Sequence, residues 1–109
     1  MNDNTYEQSF TLILHAGDAK CLAEDALEML DNNRFDEALE ILKNAESELK
    51  KAHSMQAKLI QNEANGEIEE VSLIMVHAQD HVCMATTTIG YVKQIIKLHK
   101  KIYELERRN

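Results

Sequence analysis

Three blocks of the chain repeat their apolar positions at helical spacing, and two short polar runs separate them. The first block runs from Thr5 to about Leu30, with Tyr6, Phe10, Ile13, Ala16, Leu22, Ala26 and Leu30 on its expected inner face. Asp3 or Asn4 suits its start, because a short polar side chain accepts from the free amides of a first turn. Gly17 falls inside the block with no breaker beside it. That predicts a close approach by another backbone or a bulky side chain, not a helix end. Asp31, Asn32 and Asn33 stop this block and can cap the next. The second block runs from about Phe35 to Glu63, with an expected core of Phe35, Ala38, Leu42, Ala45, Leu49, Ala52 and Leu59. Glu46 and Lys50 stand one turn apart on its polar face. Asn65-Gly66 ends it, since glycine tolerates the left-handed conformation just past a helix. The third block runs from about Glu67 to Glu106. Glu67, Glu69 and Glu70 crowd its start, and Lys97, Lys100, Lys101, Arg107 and Arg108 its end, both favourable to the helix dipole. The pattern predicts an all-α protein, one three-helix antiparallel up-down bundle over residues 1–109.

The third block carries two apolar rows. Val71, Ile74, Ala78, Val82, Ala85, Ile89, Val92 and Ile96 form the row expected to face the bundle. Leu73, His77, Asp80, Met84, Tyr91, Ile95, Leu98 and Ile102 form a second row, roughly 100–160° round the helix. A lone three-helix bundle has little use for that second row, and a long exposed apolar strip marks an association surface. A homo-oligomer of cyclic symmetry follows as the simplest expectation. Asp80 then interrupts an association surface. Its copies would meet near an axis, where like carboxylates raise one another's pKa or attract a cation such as Mg²⁺. The alternative places Asp80 at the edge of the row, reaching solvent or an arginine.

Composition narrows the functional classes. The net charge of −7 argues against a nucleic-acid ligand and leaves basic protein surfaces as partners. No apolar run is long enough to span a bilayer, so direct membrane insertion is not expected. Cys21 and Cys83 fit no disulfide or metal framework and, with no signal-peptide pattern, suit reduced thiols in the cytoplasm. No Gly-rich phosphate loop is present, so any phosphoryl group would have to arrive on another protein.

Of the five histidines, His53 has polar neighbours and fits the surface, while His15 and His99 fit structural positions near apolar faces. His77 and His81 stand four residues apart, a spacing that lets two imidazoles hold one metal. The zinc-protease pattern, however, needs Glu after the first His, and this chain has Ala78. A neutral imidazole is also a competent nucleophile near neutral pH. The residues alone leave two possibilities open, a covalent carrier on His77 and a non-catalytic bundle whose His77, Asp80 and His81 hold a structural metal.

The run Val76-His77-Ala78-Gln79-Asp80-His81-Val82-Cys83-Met84 resembles the signature of the lactose/cellobiose-type enzyme IIA of the bacterial phosphoenolpyruvate-dependent sugar phosphotransferase system. His15-Ala16-Gly17-Asp18-Ala19, Asn62 to Glu67 and Val71 to Met75 are similar to the same family, so the likeness spans nearly the whole chain. Val82-Cys83 departs from the usual Leu-Met, which touches packing more than reacting groups. The resemblance implies a homotrimer forming a nine-helix bundle. It implies that His77 accepts phosphate from the phosphocarrier HPr as a tele-phosphohistidine. His77 then passes it to a cysteine of enzyme IIB, for uptake of sugars of the lactose, cellobiose and chitobiose class. It further implies one Mg²⁺ per trimer, held by Asp80 shared between subunits. Gln79 and His81 are candidates to orient the imidazole or touch the phosphate. Thr87 and Thr88 are candidates to reach a phosphoryl oxygen across an interface, with Leu73 and Met84 as shielding walls. Cys83 is expected to be a spare buried thiol.

Overall fold

The computed structural model describes residues 3–68 and 70–108. Three α-helices, α1 (Asp3–Glu28), α2 (Phe35–Ala64) and α3 (Leu73–Glu106), follow one another, with a single 3₁₀ turn at Met29–Asn32. They form an all-helical rod 64 Å long and about 19 Å across, with no strand among the described residues. Helix α1 packs against both others, and α2 meets α3 along a thinner seam.

The seam of α1 is Thr5, Ser9, Leu12, Ala16, Ala19, Ala23 and Ala26, continued by Leu30. These residues alternate four and three apart, the period of left-handed helix packing. The sequence pattern placed Ala16, Ala26 and Leu30 on this face correctly and Ile13 and Leu22 at its margin, but not the first two turns. Tyr6 and Phe10, expected inside, are 43% and 56% exposed. Small residues take their place because they let α1 sit close to two neighbours at once. The buried hydroxyl of Ser9 is satisfied locally, donating to the Thr5 carbonyl at 2.9 Å. Gly17 also differs from expectation: a Cβ built there meets nothing within 4 Å, so it opens outward and no neighbour in the chain presses on it.

Helix α2 follows the predicted stripe, with Ala38, Leu42, Ala45, Ala52 and Leu59 buried and Phe35 and Leu49 packed at its margins. It is entered through Asn33, held at φ 55°, a left-handed position that asparagine tolerates. Arg34, not one of the preceding polar residues, is its cap; it offers no side-chain cap bond and pairs instead with Glu37. Helix α1 starts at Asp3, which puts Asn4 inside it and not at its cap. Helix α2 ends as expected, with Gly66 at φ 78° just beyond it. Glu46 reaches Lys93 on α3 at 3.1 Å, so its ion partner lies across the seam and not one turn on at Lys50.

Helix α3 starts six residues later than the pattern predicts. The hydroxyl of Ser72 accepts from the Met75 amide at 3.3 Å and fixes the start at Leu73. Glu67 and Glu70 therefore precede the helix and do not complement its dipole; Glu69 lies outside the described residues. The basic cluster is also displaced: none of it falls in the last turn. The buried row is Met75, Ala78, Val82, Ala85, Ile89, Val92 and Ile96, while Val71 is exposed and Ile74 half-buried. At the far end Phe35 meets the edges of His99 and Tyr103, with ring centres 5.8 and 5.3 Å away, which gives His99 its structural place.

His15 also has a structural partner. Its Nδ1 lies 2.8 Å from Glu48 Oε2, tying α1 to α2, and Lys51 donates to the other Glu48 oxygen at 2.9 Å. The hydrogen bonds from Lys51 and His15 hold the Glu48 carboxyl below the usual glutamate range. A depressed carboxylate stabilises the fold above its unfolded value of 4.5 and loses that contribution as acid protonates it. Solvent reaches this pair, so its contribution is about 1 kcal/mol or less. Glu48→Gln should lower the melting temperature by a few degrees at pH 7 and leave it unchanged near pH 3, as read by circular dichroism.

Candidate functional site

Successive helical residues turn by ~100°, so residues four apart share a face. Helix α3 thereby brings His77 and His81 together near its first turns. Their Nε2 atoms are 3.1 Å apart, and the rings meet edge to face with centres 4.5 Å apart. A hydrogen bond between them needs one nitrogen to donate and the other to accept, and the tautomers decide which. His77 is exposed and His81 half-buried, which leaves His77 open to a reagent from outside. With His81 Nε2–H as donor, the single N–H of a neutral His77 lies on Nδ1 and its Nε2 is the lone-pair nitrogen. That is the state a nucleophilic imidazole needs.

The outward row on α3 is present as predicted. Leu73 is 84% exposed, Tyr91 67% and Leu98 59%, and Met84, Ile95, Ile102 and Leu105 are exposed as well. His77 and Asp80 stand in this row, both exposed. It follows the same alternation of three and four residues as the buried row. Helix α3 therefore carries two packing seams, one spent inside the chain and one facing out.

Other candidates fall elsewhere. Gln79 leaves α3 ~200° from His77 and turns to α2, where Gln56 Nε2 donates to its Oε1 at 2.6 Å. It cannot touch the His77 of its own chain. Thr87 and Thr88 lie ten and more residues past His77, ~15 Å along the axis. With Lys20, Cys83 and Met84 they line a separate cavity of about 260 Å³. Within the chain these hydroxyls therefore do not reach His77. Cys83 is exposed, as is Cys21, which corrects the expectation of a buried thiol. His53 is at the surface, with Nε2 3.2 Å from the Thr86 hydroxyl.

Residues 7–100 match the family described as the lactose/cellobiose-specific IIA subunit of the phosphotransferase system. The chain belongs to that enzyme IIA family. It is 42% identical to the lichenan-specific phosphotransferase enzyme IIA component of Bacillus subtilis, over 95% of this chain and 94% of that one. The cellobiose-specific enzyme IIA of Bacillus anthracis superposes with a TM-score of 0.88 at 36% identity, covering 100% of this chain and 97% of that one. The chitobiose IIA of Escherichia coli, solved in complex with HPr, superposes with a TM-score of 0.80 at 32% identity, covering 90% of this chain and 95% of that one. As an enzyme IIA the protein is a phosphotransferase component, and the matched region contains the whole His77–His81 segment.

The donor set bears on the metal expectation. Among the described residues no three His, Cys, Asp or Glu side chains come together in a way that could hold an ion. His77 and His81 engage each other, and a single Asp80 offers one carboxylate. The structural-metal alternative therefore finds no set of three ligands among the described residues. No helix is long and apolar enough to cross a membrane, so α3's outward row is not a bilayer span.

Two residues carry interactions that sequence spacing did not single out. Gln56 holds Gln79, and Glu48 holds His15. Each partner lies on another helix, and periodicity within one helix carries no signal for such a pair.

Proposed function

We propose that His77 is the phosphoryl carrier of this enzyme IIA. The protein works in the cytoplasm, between HPr and enzyme IIB, in uptake of a sugar of the lactose, cellobiose or chitobiose class. The observation that carries this is the His77–His81 pair, accessible on α3 beside an unpartnered apolar row. The Nε2 lone pair of His77 attacks phosphorus on the phosphohistidine of HPr. The donor's N–P bond breaks, and its electron pair returns to the HPr imidazole. His77 keeps its Nδ1 proton throughout, so no base is consumed. His81, which donates to Nε2 in the resting state, is then free to donate to a phosphoryl oxygen. A thiolate of enzyme IIB then attacks the same phosphorus; the His77 N–P bond breaks, its electron pair returns to Nε2, and the site is empty again.

The outward row supports a homotrimer, a nine-helix bundle with the three α3 helices innermost. Three copies of Asp80 then approach the axis, and only there would enough oxygens gather to hold one Mg²⁺. Such an ion would neutralise the carboxylates, and no step of phosphoryl transfer passes through it. Asp80→Leu should retain or tighten the trimer and abolish ion binding, because an apolar side chain relieves the charge clash. Sedimentation with metal analysis reads both; collapse to unfolded monomers would reject this arrangement.

Omission tests the relay as a whole. With phosphoenolpyruvate, the general phosphotransferase enzyme, HPr and enzyme IIB present, label should reach enzyme IIB only when this protein is added. Label reaching enzyme IIB equally without it would remove the proposed role.

A further inference from the structure

His77 stands at one edge of the row formed by Leu73, Asp80 and Met84, and Gln79 leaves α3 ~120° round from Leu73 on the row's other side. If that row faces a symmetry axis, the Gln79 flank of one copy turns towards the His77 flank of the next. The flank that carries Gln79 is not featureless. With Leu59, Ile60, Glu63, Val71, Met75 and Val76, Gln79 lines a cavity of about 260 Å³ between α2 and α3. Its wall is apolar apart from Gln79 and Glu63, so Gln79 is the one lining side chain that can donate a hydrogen bond.

Helix α2 sets that direction. Gln56 Nε2 donates to Gln79 Oε1 at 2.6 Å, and both side chains are half-buried. With its oxygen engaged, Gln79 has its NH₂ as the end that can still donate. A donor suits the oxygens of a phosphoryl group, whereas an outward carbonyl would repel them. We propose that Gln56 is a positioning residue: it turns Gln79 so that the amide NH₂ meets the phosphoryl group carried on His77 of a neighbouring copy. This rests on the carrier and trimer assignments above. Gln56 makes and breaks no bond and touches no reacting atom.

The test is single-turnover transfer from phospho-HPr to the full chain, for wild type, Gln56→Met, Gln56→Glu, Gln79→Ala and the Gln56→Met/Gln79→Ala pair. Methionine keeps the packing at Gln56 and removes its polar group, and circular dichroism checks that each variant folds. Gln56→Met should slow transfer roughly three- to tenfold, the order expected for one lost oriented hydrogen bond. It should also shift the Gln79 side-chain amide signal in ¹⁵N NMR. Gln56→Glu should be slower still, because a carboxylate only accepts and draws the Gln79 NH₂ away from the groove. In the Gln79→Ala background, Gln56→Met should have no further effect. Transfer by Gln56→Met at the wild-type rate, or the same slowing with and without Gln79, would overturn the proposal. A wild-type chain that takes no label from phospho-HPr would instead reject the carrier assignment beneath it.

Discussion

His77→Ala should abolish labelling from phosphoenolpyruvate, the general enzyme and HPr, while leaving helicity and melting temperature near wild type. The imidazole is exposed and its hydrogen bond is to another side chain of the same helix, so its loss opens no cavity. Alanine is also the better helix former. The expected loss exceeds any positioning effect, because the group that forms the N–P bond is gone. His81→Ala separates the two rings: it should keep His77 labelled but slow transfer, since only the oriented donor is removed. Radiolabel retained on the His77→Ala variant at His15 or His81 would refute the assignment.

The second large effect concerns the outward row. Tyr91→Glu with Leu98→Glu should turn a trimer into a folded monomer of 12.5 kDa by sedimentation. Each apolar side chain buried at an interface contributes about 1.5–3 kcal/mol, and a carboxylate forced into the same place costs more, three times over around an axis. Both positions are exposed in the chain, so its own fold should tolerate the change. Loss of the trimer should also cost transfer, since the groove proposed around His77 is built from two copies. An unchanged mass would show that the row is ordinary surface.

The pairing within the segment proposed to carry the chemistry was legible because its spacing is that of one helix face. His77 and His81 are four residues apart on a helix, and α3 does bring their rings together. Helix α2 was also legible, because its inner face is apolar and its outer face mostly polar or charged. Helix α1 was legible only in part. Apart from Leu12 its inner face is built from alanine, serine and threonine, while Tyr6, Phe10 and Leu14 point outward, so a scan for bulky apolar positions finds Ala16, Ala26 and Leu30 but misses the first turns. The start of α3 was misjudged because glutamates suit a first turn wherever it falls. Ser72 decides it through one hydrogen bond. Gln79 was legible as a polar residue near the site but not as one facing the opposite side. Its neighbour Gln56 is supplied by another helix, at a distance along the chain that no periodicity encodes.

Peptide mapping of the wild-type protein after transfer from phospho-HPr tests the central claim most directly. The account predicts a single base-stable, acid-labile phosphohistidine on the peptide containing His77, with the phosphoryl group on Nε2. Label confined to any other histidine, or an acid-stable phosphoester on Thr87 or Thr88, would contradict it.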